Sequence, residues 1–188
     1  MNLPTALTVL RIVLTPFVVW EILSEQTAAA LVLFAIAAFT DWLDGAAARG
    51  LELVTKLGAI LDPIADKILM GATILALALI SKIPWWFVAL VIGRDLLILF
   101  AAGILSLFAK VRAFPPSKWG KWSTIIQAVT VVLWMLWGMF PSPALTEIAK
   151  TVLWGSATLT VLSGLDYALR GVRMMRCARA HARAHTPA

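Results

Sequence analysis

Asp41, Asp44, Asp62 and Asp66 stand within one segment, DWLDGAAARGLELVTKLGAILDPIAD, of an otherwise apolar chain. A carboxylate at the centre of a bilayer helix costs about 2.5–3.5 kcal/mol on insertion scales, so four uncompensated ones would cost about 10 kcal/mol or more. Such a group demands a cation. Asp41 and Asp44 are spaced i,i+3 and Asp62 and Asp66 i,i+4, so on helices each pair shares one face. The short connection between them predicts antiparallel neighbours whose faces meet and offer four carboxylates to one cavity. Oxygen-only ligands suit two hard divalent cations, Mg2+, Mn2+ or Ca2+, and no His or Cys lies nearby to favour zinc. Two such ions about 3.5–4 Å apart clamp the attacking and leaving oxygens of a phosphoryl-type displacement.

The residues between the acids extend this chemistry. Gly45 and Ala46 to Ala48 leave the backbone open to a bulky ligand such as a nucleotide, and Gly58 offers a second close approach. Arg49 carries a planar, permanently charged fork suited to a diphosphate. Each has a structural alternative. Gly and Ala also mediate helix packing in membranes, Asp62 before Pro63 also reads as an N-cap, and Arg49 also reads as a cytoplasmic anchor.

The elements that must position these residues follow from composition. Of 188 residues, 61% are apolar and 14% charged, and the mean hydropathy of +0.91 excludes an ordinary soluble domain. The expected fold is an all-α integral membrane protein, a six-transmembrane-helix bundle with spans near 5–22, 27–48, 57–80, 85–108, 119–139 and 145–169. The runs are too long and continuous for barrel strands. The N-terminal run lacks the marks of a cleaved signal and is expected to remain as the first span. Residues 1–170 are expected to form one six-span catalytic membrane domain, and residues 171–188 a basic tail, either an interfacial helix or disordered.

Charge supplies orientation. Arg49 and Lys56, then Lys110, Arg112, Lys118 and Lys121, then Arg170, Arg173, Arg176, Arg179 and Arg183 fall on alternate connections, against Lys82 and Lys150 on the others. The positive-inside rule places both termini and the acidic cluster on the cytoplasmic side of the inner membrane. The net charge of +6 then reflects topology and attraction to anionic membrane lipids, and no nucleic-acid partner is expected. The tryptophans read as interfacial anchors. His181 and His185 are i,i+4 but lack a third ligand. Arg11 either snorkels to the surface or lines the cavity.

Taken together, Asp41-x2-Asp44-Gly45-x2-Ala48-Arg49-x8-Gly58-x3-Asp62-x3-Asp66 reproduces every position of the signature of the CDP-alcohol phosphatidyltransferases, and on it the chain is identified as a member of that family. The opening Asn2 to Arg11 is similar to the family's N-terminal segment. Leu61 to Lys67 and Ser117 to Gln127 resemble the versions in enzymes making phosphatidylglycerophosphate or cardiolipin, and Leu162 to Tyr167 resembles their last span.

The resemblance implies a transferase of phospholipid biosynthesis with the CDP-alcohol phosphotransferase fold, working as a homodimer. It implies that Asp41, Asp44, Asp62 and Asp66 hold two divalent cations, Mg2+ or Mn2+, with Asp66 also the general base toward the acceptor hydroxyl. It implies that Gly45, Ala48, Arg49 and Gly58 hold the CDP moiety of CDP-diacylglycerol while CMP is expelled. Arg94, Lys118 and Lys121 are candidate acceptor contacts. Arg94 has a structural alternative, pairing with Asp95 or with the acidic cluster, and the two lysines have one as anchors. The expected acceptor is glycerol 3-phosphate. Phosphatidylglycerol is the alternative, because Arg94-Asp95 resembles the cardiolipin synthases whereas phosphatidylglycerophosphate synthases commonly carry Arg-Glu and a further arginine. From another class, a cation transporter would string its carboxylates across the bilayer.

Overall fold

Long Leu- and Ala-rich runs satisfy their backbone hydrogen bonds within one segment only as helices, and the described residues form six, the first with Pro16 in its interior. The computed structural model describes the backbone of residues 3–51, 56–109 and 118–184 and the side chains of residues 8–40, 64–100 and 118–171. The helices are α1 (Leu3–Leu23), α2 (Thr27–Leu51), α3 (Lys56–Leu79), α4 (Trp85–Ala109), α5 (Lys118–Met139) and α6 (Pro143–Ala184). No strand occurs among the described residues. α6 runs without a break past residue 170 to Ala184, so the expected tail begins as a continuation of the last helix.

The turns that close one end are specified locally. α1 ends with Glu25 in the left-handed region (φ 58°) and α3 with Ser81 (φ 59°). In each turn the amide two residues past the C-cap reaches back to the third-last helical carbonyl, Gln26 to Glu21 and Lys82 to Leu77. The amide before it bonds one residue further on, Glu25 to Ile22 and Ser81 to Ala78. Both are Schellman closures made without glycine. α6 opens with Ser142 as N-cap, its Oγ accepting from the Leu145 amide at 3.2 Å, and Pro143 in the first helical position.

These turns gather together. A Cβ on Gly138 of α5 would stand 3.1 Å from the Thr27 side chain at the start of α2. Lys82 lies 4.7 Å from the centre of the Trp137 ring, and the Trp137 indole donates to Thr146 at 2.8 Å. Trp86 stacks on Trp154 at 4.9 Å.

α1 packs along both α2 and α3, and α6 along both α4 and α5, with α2 on α5 joining the two groups. Among the described residues, the extensive contacts of α2 and α3 are with α1, and both also touch α5. The stretches on which the expected α2–α3 pairing rests, residues 41–51 and 56–63, lie outside the residues whose side chains are described. The apolar core, including Val18, Ile22, Phe34, Ile74, Leu77, Phe87, Val131 and Met135, lies among all six helices.

Polarity is distributed as in a protein solvated by lipid. Thr8, Arg11, Thr73, Ser123, Gln127, Thr130, Thr160 and Ser163 are buried, while Val13, Phe17, Trp20, Val32, Phe39, Leu96, Phe100, Trp154 and Leu165 face outward. Two helical stretches, Lys118–Met139 and Pro143–Gly171, are long and apolar enough to cross a membrane on length and composition alone.

Candidate functional site

Midway along the bundle and toward the end away from the turns, α3, α4, α5 and α6 bring charged and hydroxyl side chains together. Asp66 and Lys67 come from the middle of α3, Arg94 and Asp95 from α4, Gly120, Thr124 and Gln127 from α5, and Ser163 and Tyr167 from α6. The apolar stripe that seats each helix aims these residues inward at helical spacing.

Asp95 is the electrostatic hub. Its Oδ1 accepts from Lys67 Nζ and from Arg94 Nη1, each at 2.6 Å. Arg94 is only 9% exposed, and its other terminal nitrogen donates to Ser163 Oγ at 2.8 Å. The guanidinium carbon lies 5.7 Å from the centre of the Tyr167 ring, within cation–π range. A guanidinium at this depth requires such partners. The α5 backbone reaches this junction because position 120 is glycine: a Cβ there would stand 3.1 Å from Tyr167 and 3.2 Å from Arg94.

Beside the hub is a small polar cavity of about 120 Å3 lined by Asp66, Lys67, Met70, Asp95, Thr124 and Gln127. Next to it an open apolar groove of about 340 Å3 runs between α3 and α4, along Ile64, Ile68, Gly71, Ile92, Leu96 and Leu99, with Lys67 and Asp95 at its polar rim. Polar chemistry and a lipid-accessible apolar surface thus share two residues.

The sequence-identified residues divide into three groups. Asp66 lines the polar cavity. Asp41, Asp44, Gly45, Ala48 and Arg49 lie within α2, and Gly58 and Asp62 within α3, but their side chains lie outside the described residues, as do His181 and His185. Because α3 begins at Lys56, Asp62 sits well inside the helix, and the N-cap alternative falls. Among the described residues no three metal-ligating side chains cluster.

The acceptor candidates fare differently. Arg94 pairs with Asp95 and Ser163 through its two terminal nitrogens, while its Nε has no partner among the described residues. Lys118 and Lys121 are exposed at the first turn of α5 and do not line the polar cavity. Arg11 is fully buried and therefore does not snorkel.

Lys67, Asp95, Thr124 and Gln127 line the cavity although spacing did not single them out as site residues. A signal was present: Lys67 directly follows Asp66, and Gln127 is an amide in the middle of an apolar span, where polar side chains are costly and functional by default.

Comparison with known proteins adds an independent line. Residues 1–162 match the model of the CDP-alcohol phosphatidyltransferase family. A probable phosphatidylglycerophosphate synthase of Mycobacterium tuberculosis is 34% identical over 180 residues, covering 92% of this chain and 82% of the relative. The CDP-diacylglycerol–glycerol-3-phosphate 3-phosphatidyltransferase of Aquifex aeolicus is 30% identical over 178 residues, covering 93% of this chain and 98% of the relative. The enzyme of the same name from Bacillus subtilis is 32% identical over 181 residues, covering 88% and 93%.

Proposed function

The chain belongs to the CDP-alcohol phosphatidyltransferase family, and from that premise we propose that it transfers the phosphatidyl group of CDP-diacylglycerol to glycerol 3-phosphate, releasing CMP and forming phosphatidylglycerophosphate. The observation that carries this reading is similarity along nearly the whole chain to enzymes named for that reaction. The polar cavity beside Asp66 supports it.

In this mechanism Asp66 accepts the proton of the acceptor hydroxyl as its oxygen attacks the lipid-proximal phosphorus, and the bond to CMP breaks. Lys67 lines the cavity although it is paired with Asp95, and it is the cation there that an anionic acceptor would meet. Gly45, Ala48, Arg49 and Gly58 hold the CDP moiety, with Arg49 on the diphosphate. The apolar groove between α3 and α4 keeps the neighbouring surface in contact with lipid.

An all-carboxylate donor set fits hard cations, and the half-buried position of Asp66 at the cavity wall supports counting it among the ligands. Asp41, Asp44, Asp62 and Asp66 would hold two divalent ions, Mg2+ or Mn2+. When bound, these neutralise the charge that builds on the phosphoryl oxygens. The remaining contribution is alignment of two substrates in a dry site.

The six helices each cross the membrane in this reading. α1 to α5 have 21 to 25 residues, enough for about 30 Å of hydrocarbon at about 1.5 Å per residue. Residues 1–170 form the catalytic membrane domain, and the basic residues beyond them continue α6 on the cytoplasmic side, where both termini and the site lie. The working unit is a homodimer.

The test is purified protein with CDP-diacylglycerol and, separately, glycerol 3-phosphate, phosphatidylglycerol, inositol phosphate or serine, scoring CMP and the lipid formed. Product with glycerol 3-phosphate alone is the expected result. Product with phosphatidylglycerol alone moves the assignment to cardiolipin synthesis, and none with any acceptor refutes it.

A further inference from the structure

Gln127 is only 3% exposed, lies midway along an apolar helix and lines the cavity beside Asp66. Its amide orientation is fixed by counting protons. The Thr160 hydroxyl donates its one proton to the Ser156 carbonyl at 2.7 Å, so Thr160 Oγ1 can only accept from its other neighbours. Gln127 stands 2.9 Å away and must present its NH2 group there. The second amide proton goes to Ser123 Oγ at 3.3 Å, and Ser123 contacts Thr160 at 3.2 Å, closing a triad between α5 and α6. Both amide protons are therefore used.

The hydrogen bonds of the Gln127 side chain to described residues are all made by its nitrogen, and the residue lines the cavity, so its carbonyl is available to a donor that enters there. The other polar cavity groups are Asp66, the proposed base, Lys67, a cation paired with Asp95, and the Thr124 hydroxyl. An acceptor seated there meets a proton acceptor for its reacting hydroxyl, a positive charge for an anionic group, and a second, aprotic oxygen. About 120 Å3 is the space of a few water molecules, the scale of a three-carbon polyol.

Building on the transferase reading, we infer that Gln127 is a specificity-determining residue for the acceptor. Its carbonyl accepts a hydrogen bond from the hydroxyl adjacent to the one that reacts, selecting an alcohol with a vicinal diol and a phosphate at its far end. Glycerol 3-phosphate and the headgroup of phosphatidylglycerol both carry that pattern. The Ser123–Thr160 frame is what makes the selection sharp, because it prevents the amide from rotating to offer a donor instead. A site built to receive a substrate hydroxyl rejects analogues lacking it far more strongly than an apolar pocket rejects an extra methylene.

The experiment uses the full chain in detergent micelles with CDP-diacylglycerol and compares glycerol 3-phosphate with 3-hydroxypropyl phosphate, which lacks only the middle hydroxyl. CMP release gives kcat/KM for each. Wild-type protein is expected to favour glycerol 3-phosphate by about 10-fold or more. Gln127→Leu is expected to lose about 10-fold or more on glycerol 3-phosphate and to leave the deoxy acceptor within about twofold, so that the preference collapses. Equal use of both acceptors by the wild type overturns the inference without any variant. A proportional loss on both acceptors in Gln127→Leu also overturns it, since Gln127 is then a packing residue. No CMP with either acceptor refutes the glycerol-acceptor reading, and the inference with it. That result is distinguishable, because in the other cases glycerol 3-phosphate still reacts.

Discussion

The two ends of the bundle are built on opposite terms. At the turn end, α1 meets α2, α3 meets α4 and α5 meets α6 through connections of a few residues, closed by Schellman hydrogen bonds, an N-cap and aromatic contacts. The polar groups named there pair with turn backbone or with neighbouring helices, as Lys82 does with Trp137, and these contacts serve the fold. At the charged end, one carboxylate is shared by two cations, a guanidinium is buried against a tyrosine ring, and an amide bonded to described residues through its nitrogen lines a cavity. These contacts also tie α3, α4, α5 and α6 together, but they leave a cavity with polar walls among them. The difference teaches that position in the bundle separates residues that hold the helices from residues kept ready for a ligand.

The largest expected effect that sharpens this contrast is loss of the metals. Chelating divalent ions should reduce CMP release to background, and added Mg2+ or Mn2+ should restore it, while the melting midpoint of the helices moves far less. Turnover in chelator removes the metals from the mechanism. Next is the hub. Asp95→Ala leaves Lys67 and Arg94 without their shared anion, at a cost of about 1–3 kcal/mol after allowing for partial exposure, read as a lower thermal midpoint in detergent together with weakened glycerol 3-phosphate saturation.

Smaller again is the close approach of α5. Gly120→Ala should destabilise by about 1–3 kcal/mol because its Cβ meets Tyr167 and Arg94. Gly93→Ala meets nothing within 4 Å and should be neutral or slightly stabilising. Equal midpoints for these two variants would contradict the packing account. The smallest effect belongs to the turn end: Glu25→Gly relieves a left-handed non-glycine residue and should raise stability by up to about 1 kcal/mol with CMP release unchanged. A loss of activity there would break the division between the ends.

Much of this was legible in the sequence. Helix limits followed hydropathy and breakers closely, since Pro84, Pro141 and Pro143 and the polar stretches between runs interrupt the apolar pattern where the chain turns. The acidic signature was legible because carboxylates in apolar helices have few structural uses. The route by which helices share neighbours was not, because α1 packing along both α2 and α3 is a property of three-dimensional arrangement that no spacing encodes. Arg94 illustrates the same limit. Its cost in an apolar span was evident, yet whether a phosphate or Asp95 and Ser163 offset that cost depended on a contact with a residue 69 positions away. Gln127 escaped notice for the converse reason: its meaning lies in which of its atoms Ser123 and Thr160 occupy.

The central claim is that the charged end performs the chemistry through Asp66, and the most direct measurement pairs two readouts on Asp66→Asn: equilibrium binding of CDP-diacylglycerol and the rate of CMP release with saturating glycerol 3-phosphate. Binding near the wild-type value with CMP release lowered by about 100-fold or more is the predicted result. Wild-type turnover in the folded variant would contradict it.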